Sequence, residues 1–376
     1  MKGPLTIEKV ATPAAVEEFI RFPFRLYRGD PHWVPPLLAE RRRFLDRAKN
    51  PVFEYVEAEL FLARRAGRVA GTIAAVRNDR YGEFHPAERH VGFFGLFECE
   101  DDPEAAAALF GAAAGWLRER GFSTLRGPTN LTTNDVLGLL VEGFADDPVL
   151  LMPYNPPYYA ALFERHGLVK SVDLFAYEVR EELCAGALDD AVRRIEERGR
   201  CTVRPVDLRR LADELQFVRA CYNEAWKDNW GFVPWTDREL EFMAHELRPI
   251  ADARLAFIGA VGGEPAGFSI GVPDANRALK LARGRLLPLG WLKVLWKIKV
   301  SGCARVRVLA LGVLPRFRRT GLDAMLIHRT ITNGIPLGYS RAEVGWILEG
   351  NDAMIRPLAR IGAERSKVFR VYDAPI

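Results

Sequence analysis

Apolar and polar residues alternate along several short stretches of the chain, and each such stretch predicts a strand of a half-buried sheet. Between them, apolar residues recur every three or four positions, which predicts amphipathic helices. The predicted strands of the first half cover residues 6–10, 58–64, 69–76, 91–99, 123–126 and 172–179, and its helices begin near residues 12, 103 and 156. Those of the second half cover residues 202–206, 254–261, 266–272, 306–314, 341–348 and 366–372, with helices within 207–247, 321–333 and 351–361.

The two halves repeat the same features in the same order, about 195 residues apart. Thr6-Ile7 recurs as Thr202-Val203, and the segment from Asn155 to Gly167 is similar to the segment from Asn351 to Gly362. A repeat of this length indicates a duplicated domain. We therefore predict a mixed α/β (α+β) chain of two tandem domains, 1–180 and 201–376, joined by a linker helix over 181–200. Each domain has a mixed, mostly antiparallel sheet flanked by helices.

Composition narrows the class of protein. Of the 376 residues, 49% are hydrophobic and 27% are charged, which excludes a disordered, collagen-like or coiled-coil chain. The five cysteines are scattered and never in C-x-x-C spacing, and the six histidines show no ligand spacing, so we expect no metal site and a reducing compartment. With no signal-peptide pattern and no run of 18 apolar residues, we expect a cytoplasmic protein.

One segment carries a recognisable chemical pattern. An apolar run over residues 308–314 is followed by Pro315 and then by Arg318-Arg319-Thr320-Gly321, where the predicted helix over 321–333 begins. A glycine turn lets backbone N–H groups approach a pyrophosphate, which also lies favourably at the positive N-terminus of a helix. Downstream, Glu349-Gly350-Asn351 begins a second helix.

These two motifs, in this order, resemble the acyl-CoA-binding core of the GNAT N-acyltransferase superfamily. The resemblance implies that the second half binds acyl-CoA as co-substrate and that a strand N–H near Leu311 and Val313 polarises the thioester carbonyl. The residues it places at the cofactor are Leu311, Gly312, Val313, Arg318, Arg319, Thr320, Gly321, Leu322 and Asn351. The first half has Glu98, Glu100, Asp101 and Asp102 where the arginine motif would be. Carboxylates repel a pyrophosphate, so we expect this half to be a degenerate copy that builds the acceptor side.

Longer phrases extend the resemblance over nearly the whole chain. They are Pro31-His32-Trp33-Val34-Pro35-Pro36-Leu37, Tyr154-Asn155-Pro156-Pro157-Tyr158-Tyr159 and Gly345-Trp346-Ile347-Leu348-Glu349. They are similar to a bacterial family of tandem-GNAT proteins that includes the bacterial ceramide synthases. This resemblance implies transfer of a long-chain acyl group to the amine of a sphingoid base, 3-oxosphinganine, in ceramide synthesis.

Two positions depart from the superfamily pattern. Asp323 replaces the last Gly/Ala of the pyrophosphate motif, and Leu358 stands where many GNAT enzymes carry a tyrosine general acid. N-acylation needs a neutral amine, a polarised carbonyl and a stabilised thiolate. Glu349 is either the base or a helix-capping carboxylate, and Asn351 either orders the pantetheine or caps its helix. The remaining candidate catalytic residues are Asn134, Asp135, Tyr158 and Tyr372.

Basic residues concentrate in one stretch. Residues 275–322 contain twelve Arg or Lys and no Asp or Glu, and within them 286–298 mixes leucines, two tryptophans and lysines. This insertion, 277–300, is typical of an interfacial helix on an anionic membrane. It also fits a core-packed helix with a solvated basic face, and its charge suits an acyl carrier protein; an RNA-binding patch is the less favoured interpretation.

Three other functions remain open at this point. They are a GNAT enzyme that acetylates a small amine, an aminoacyl-tRNA-dependent transferase, and a binding protein without catalysis. The first would prefer acetyl-CoA, the second would bind tRNA with a steep salt dependence, and the third would turn nothing over.

Overall fold

The computed structural model describes residues 3–300 and 302–376, although the side chains of 298–300, including Lys299 of the basic stretch, lie outside the described part. The chain forms two compact units. The first unit holds the residues up to Leu174 together with Leu279–Lys293 and Lys367–Ile376, and the second holds Phe175–Ala278 and Val294–Ser366. Segments 175–180, 279–293 and 367–376 thus fall in a different unit from the one that the sequence repeat indicates.

The first part of the chain contains seven strands and five helices in the described residues. The strands are β1 (Leu5–Lys9), β2 (Val56–Arg65), β3 (Arg68–Asn78), β4 (Val91–Cys99), β5 (Thr124–Gly127), β6 (Leu139–Glu142) and β7 (Val169–Arg180). The helices are α1 (Pro13–Leu26), α2 (Leu38–Phe44), α3 (Asp79–Phe84), α4 (Pro103–Arg118) and α5 (Tyr159–Arg165).

The second part follows a similar order. Its helices are α6 (Glu181–Cys184), α7 (Asp189–Glu197), α8 (Leu211–Ala225), α9 (Asp237–Leu247), α10 (Asn276–Ala282), α11 (Gly290–Val300), α12 (Leu322–Gly334) and α13 (Asp352–Arg360). Its strands are β8 (Cys201–Pro205), β9 (Ala256–Val261), β10 (Glu264–Pro273), β11 (Arg305–Val313), β12 (Arg341–Leu348) and β13 (Glu364–Pro375).

In the first unit the strand order is β1-β2-β3-β4-β5-β13, and β6 also pairs with β13. The hairpin β2–β3 pairs from Val56↔Asn78 to Arg65↔Arg68, with a one-residue shift of register between Ala63 and Arg64, and it turns at Ala66 and Gly67, both with positive φ. Two residues with positive φ give the turn whose twist matches that of the flanking strands. Pairing is antiparallel except between β4 and β5, so the unit is the mixed sheet that the alternation predicts.

The core of the first unit lies between this sheet and α4. Four alanines of α4 are buried and let the helix approach the sheet closely: Ala105, Ala106, Ala113 and Ala114. Beside them Phe94 and Phe163 pack edge to face on Phe110, and Phe97 stacks on Phe110. Tyr372 of β13 lies in the same core, with its ring centroid 5.3 Å from that of Phe163.

The second unit has the strand order β12-β11-β10-β9-β8, with β7 on the other side of β12. Helix α12 packs on this sheet through Leu322, Met325 and Leu326, and α8 packs through Val218 and Cys221. The predicted fold class is confirmed: both units are mixed sheets flanked by helices. The predicted linker helix over 181–200 is instead two helices, α6 and α7, because Gly186 adopts a positive φ between them.

Candidate active site

The second unit contains a notch between two parallel strands. β11 and β12 pair only from Arg305↔Arg341 to Val308↔Val344, although β11 continues to Val313 and β12 to Leu348. The pairing of β11 with β10 shifts register between Ile270 and Gly271, which leaves Leu309 as a bulge at the point where β12 is left behind. Residues 309–311 are correspondingly half-exposed, whereas 305–308 are buried.

The backbone of β11 presents donors to this notch. Leu314, just after β11, donates its N–H to the carbonyl of Ala266 in β10. Because backbone N–H groups alternate in direction along a strand, those of Leu311 and Val313 point to the opposite edge, where β12 no longer pairs. The two positions that the resemblance assigns to carbonyl polarisation therefore face the notch.

A basic loop follows β11 and leads into α12. Arg319 and Gly321 both have positive φ, and Gly321 caps the helix without a side-chain hydrogen bond. A Cβ at Gly321 would lie 2.5 Å from Ile195, so the loop conformation and the packing both need glycine here. The N–H groups of the first turn of α12 are thus left for solvent or an anion.

The side chains of the loop surround this helix terminus. Arg318 and Arg319 are exposed, and Arg318 donates to the carbonyl of Ala225 at 2.9 Å. Thr320 Oγ1 donates to the carbonyl of Phe317 at 2.7 Å, which fixes the turn. Leu322 is fully buried, and Asp323 lies half-exposed in the first turn of α12. The carboxylate of Asp323 reduces the positive potential for an anion but does not occupy the core.

The motif after β12 has one uncommitted amide. Asn351 stands at the N-cap of α13, but its side chain makes no capping hydrogen bond among the described residues. This disfavours the capping interpretation of Asn351. Glu349 is half-buried, two residues before it and just past the end of β12. Leu358 is buried beside Tyr177, Ile347 and Ile361, so this position supplies packing and no proton.

An aromatic wall beside β11 is absent from the sequence-based prediction. Tyr222 stacks on Trp235 with ring centroids 4.1 Å apart and on Trp226 at 4.6 Å. Trp226 lies against Gly312, where a Cβ would collide with the indole. Gly312 is therefore required by packing. The aromatic spacing in 222–235 was visible in the sequence, but nothing in it indicated contact with residue 312.

A buried ionic cluster at the start of β11 and β12 was also missed. Arg305 donates to Glu343 at 2.7 Å and lies 3.8 Å from Glu178, which in turn accepts from Arg341. Burial lowers the pKa of Arg307 to about 10, against the opposing effect of Glu343, and its guanidinium lies 5.2 Å from the Trp346 ring. Two arginines inside a strand of apolar residues were the signal that could have found this cluster.

The first unit closes the corresponding position with its own chain. β4 and β5 also pair in parallel over only three residues, from Val91↔Thr124 to Phe93↔Arg126. Beyond them, Thr129 donates its N–H to the carbonyl of Phe94 at 2.7 Å, and Leu96 donates its N–H to Asn130 Oδ1 at 2.9 Å. The edge of β4 that corresponds to the open edge of β11 is therefore covered by the loop after β5.

Three of the acidic residues that stand in place of the arginine motif, Glu98, Glu100 and Asp102, have partners within the first unit. Arg65 makes a two-pronged ion pair with Asp102, and Arg68 pairs with Glu100 at 2.9 Å. The carboxyl group of Glu98 accepts hydrogen bonds from the hydroxyl groups of Tyr27 and Tyr159, at 2.8 and 2.7 Å. Burial raises the pKa of Glu98 to about 7, although both tyrosines oppose that rise.

The other candidate catalytic residues lie in the first unit. Asn134 and Asp135 belong to a tight turn in which Asn134 donates its N–H to Thr132 Oγ1. Tyr158 donates its hydroxyl to the carbonyl of Cys99 at 2.7 Å, and Tyr372 is only 1% exposed. Tyr158 is committed to the backbone and Tyr372 is enclosed in a core, so neither hydroxyl is offered to a substrate in this conformation.

Known proteins were compared with the chain. The bacterial ceramide synthase of Caulobacter vibrioides (strain NA1000 / CB15N) is 38% identical over 376 residues, covering 98% of this chain and 97% of that protein. The chain belongs to the bacterial ceramide synthase family. Protein YghO of Escherichia coli (strain K12) is 37% identical over 372 residues, and the match covers 96% of this chain and 93% of that protein. No family profile matches the chain.

Two solved structures have a fold similar to that of this chain. A tandem GNAT protein from the clavulanic acid biosynthesis pathway has a TM-score of 0.58 at 13% identity, covering 99% of this chain and 98% of its own. A GCN5-related N-acetyltransferase from Sphaerobacter thermophilus has a TM-score of 0.54 at 13% identity, covering 99% and 96%. At such identities the likeness shows the fold alone, and that fold is the tandem GNAT fold.

Within 3–300 and 302–376, no group of three or more His, Cys, Asp or Glu side chains could hold a metal ion. In that part of the chain no helix is long and apolar enough to cross a bilayer.

Proposed function

We propose that this chain transfers a long-chain acyl group from acyl-CoA to the primary amine of a sphingoid base, 3-oxosphinganine, in bacterial ceramide synthesis. That the chain is an N-acyltransferase follows from its family and its tandem GNAT fold together. The donor side of the proposal rests on the notch of the second unit, with the basic loop and the uncapped N-terminus of α12 next to it. That pairing of features supplies one place for an extended thioester and another for its pyrophosphate. The acceptor and the chain length rest on the likeness to the bacterial ceramide synthase.

The donor would lie along β11. The pyrophosphate would contact the first N–H groups of α12, with Arg318, Arg319 and Thr320 around it, and Leu322 would anchor the helix beneath. The pantetheine would follow the free edge of β11 past Val313 and Leu311, with Asn351 as a further donor on its other side. One of the N–H groups of Leu311 and Val313 would polarise the thioester carbonyl.

The proton of the acceptor ammonium would go to Glu349, which is half-buried just past the end of β12. The neutral amine then attacks the thioester carbonyl and the C–N bond forms. The second proton of the amine passes to water, the C–S bond breaks and CoA leaves as the thiolate. Since Leu358 cannot donate a proton, the thiolate would be released directly, and its low pKa makes that step accessible.

The first unit would serve the acceptor side and not a second cofactor. Its β4 edge is covered by Thr129 and Asn130, and Glu100 and Asp102 are held in ion pairs. These contacts support the interpretation of the first half as a degenerate copy. Asn134 and Asp135, in the turn of the same loop, stay candidates for contact with the acceptor.

The α11 segment supports a membrane surface as partner. On α11, Trp296 is 59% exposed and Trp291 46%, and Lys293 and Lys297 lie on the same helix. Leu287, which precedes the helix, is 77% exposed. Exposed tryptophans and leucines interleaved with lysines match an anionic headgroup layer, where Trp sits at the interface and Lys meets phosphate. We propose that α11 places the enzyme on the cytoplasmic leaflet, where a lipid amine and a long acyl chain are found.

The test is mass spectrometry of the purified protein incubated with 3-oxosphinganine and an equimolar mixture of acetyl-CoA to long-chain acyl-CoA. An N-acylated long-chain product is expected. Exclusive use of acetyl-CoA on a small amine would replace the proposal with an acetyltransferase. A product formed only from acyl carrier protein would move the donor from CoA to that acidic partner. Binding of tRNA without CoA affinity, or CoA binding with no turnover on any amine, would reject it.

A further inference from the structure

A small cavity lies in the second unit at the start of β11. Among the described residues it is lined by Asp274, Arg277, Ala278, Lys297, Gly302, Cys303, Ala304 and Arg305, and its volume is about 100 Å³. A cavity of this size holds several water molecules or one small anion. Along β11 it is roughly 26 Å from the basic loop, at 3.3 Å per strand residue. It is therefore separate from the proposed pyrophosphate site.

The charges around the cavity do not balance. Arg305 is buried and already paired with Glu343 and Glu178. Arg277 and Lys297 make no ion pair with any residue that the structure describes, while Asp274 is the one carboxylate of the lining. Elsewhere in the described chain, arginines such as Arg65, Arg126 and Arg370 have carboxylate partners. Arg277 is exposed and Lys297 half-exposed, and both line the same cavity without such a partner. Two cations in that position favour an anionic ligand.

The surroundings narrow the chemistry of that anion. Lys297 belongs to α11, whose exposed Trp296 is its sequence neighbour. A tetrahedral phosphate accepts hydrogen bonds from several directions and so fits a lysine and an arginine that approach from different elements, α11 and α10. We propose that this cavity binds a phosphate group, carried by an anionic phospholipid when α11 lies on a membrane. The lipid source rests on the proposed membrane docking, whereas phosphate binding itself rests on neither docking nor acyl transfer.

Matched variants test the cavity. The pair Arg277→Ala with Lys297→Ala removes both unbalanced cations, and the pair Arg285→Ala with Lys293→Ala removes two exposed cations of the same segment that do not line the cavity. Titration calorimetry with inorganic phosphate, at constant ionic strength against chloride, should show binding by the wild type and by the control pair. The cavity pair should bind at least about tenfold more weakly. An equal loss of phosphate affinity in both pairs would show that only net charge matters, and it would overturn the proposal.

A second measurement needs no variant. Cys303 lines the cavity and is half-buried, whereas the other four cysteines are buried. Bound phosphate should slow alkylation of Cys303 by iodoacetamide, followed by mass spectrometry, and chloride at equal ionic strength should not. No phosphate effect on either calorimetry or alkylation would reject the site.

Vesicles identify the source of the phosphate. Flotation with phosphatidylglycerol vesicles, compared with phosphatidylcholine, should recover less of the cavity pair than of the control pair if the phosphate belongs to a lipid. If phosphate binding depends on Arg277 and Lys297 but vesicle binding does not, the site takes a free phosphate or phosphate monoester. Neither result depends on product formation from 3-oxosphinganine, so failure of the acyltransferase proposal is distinguishable from failure of this one.

Discussion

A buried carboxyl group between two tyrosine hydroxyls makes the first unit sensitive to pH. Glu98 has an ordinary pKa of 4.5 and a pKa of about 7 in the fold, because burial disfavours its charge. The folded state therefore favours the protonated form. The resulting stabilisation is complete below about pH 4.5 and is lost as the pH rises through about 7.

The Glu98→Gln variant checks this assignment. Gln keeps an oxygen for Tyr27 and Tyr159 but cannot ionise, so it should be more stable than the wild type at pH 8 by about 1–2 kcal/mol and similar at pH 4.5. Urea unfolding at both pH values measures the difference. Asp102→Asn, whose carboxylate is paired with Arg65, is the control and should destabilise instead. If the free energies of unfolding of the wild type and of Glu98→Gln differ by the same amount at both pH values, the prediction is contradicted.

Glu349 is the residue on which the proposed proton transfer depends. Glu349→Gln should lower kcat by about 100-fold, the usual scale for a positioned base, and should leave CoA affinity unchanged because the residue is not part of the basic loop. Steady-state kinetics with calorimetric CoA titration separates the two effects. Glu364→Gln, an exposed carboxylate of the same unit, is the matched control. A small loss of kcat that does not depend on pH would leave Glu349 as a structural residue.

Gly312 of β11 lies against Trp226 of the aromatic wall. In Gly312→Ala, the added Cβ would collide with Trp226, so we expect a loss of about 1–3 kcal/mol in the free energy of unfolding and a shifted tryptophan emission. Gly350→Ala is the control, since a Cβ there meets open space. Trp226→Leu in the Gly312→Ala background should recover part of the loss. No recovery would mean that the strain lies in the strand and not in the indole contact.

At the scale of elements, a parallel strand pair that separates after four residues is joined to a helix with an uncapped N-terminus. The bulge at Leu309 turns β11 away from β12, and the positive φ of Gly321 directs the first turn of α12 toward the same end of the strand. Each feature alone is common. Together they create an extended edge that ends at a positive site, which is the shape of a pantetheine followed by a pyrophosphate.

The basic loop should therefore control CoA affinity. Arg318→Ala combined with Arg319→Ala should weaken CoA binding by about tenfold or more, because two charge-assisted contacts to the pyrophosphate are lost. The fold should stay intact since both side chains are exposed. Arg209→Ala with Arg210→Ala removes two exposed arginines elsewhere in the same unit and should leave affinity unchanged. Calorimetry with CoA measures both pairs, and equal affinity in all three proteins would place the pyrophosphate somewhere else.

The sequence predicted local elements well because their causes are local. Alternation and turn residues indicated the hairpin at 58–64 and 69–76, which is β2–β3, and Asp102-Pro103 marked the start of α4. The pairing of Leu96 with Asn130, the contact of Trp226 with Gly312 and the strand β6 were not predicted. Each depends on a partner distant in sequence, and periodicity holds no information about which partner is chosen.

The same limit applies at the scale of the whole molecule. The repeat indicates equal halves, but β5 pairs with the C-terminal residues Tyr372–Pro375 of β13, and Asp147 pairs with Lys280 at 2.9 Å. The first unit is thus completed by two segments from the second half of the chain. The sequence repeat and the compact units therefore have different boundaries, because strands of one half of the sequence pair within the unit formed mainly by the other half.

Residues 1–180 alone should consequently fail to fold as a stable domain. Without 367–376, one edge of β5 loses its hydrogen-bonded partner and the core loses Tyr372, which is 1% exposed. We expect a fragment of 1–180 to lack a cooperative thermal transition by circular dichroism. A single chain in which a flexible linker joins 367–376 to the end of 1–180 should regain one, and the same chain with Tyr372→Asp should not. Cooperative unfolding of the bare fragment would show that the sequence repeat, and not the observed unit, defines the domain.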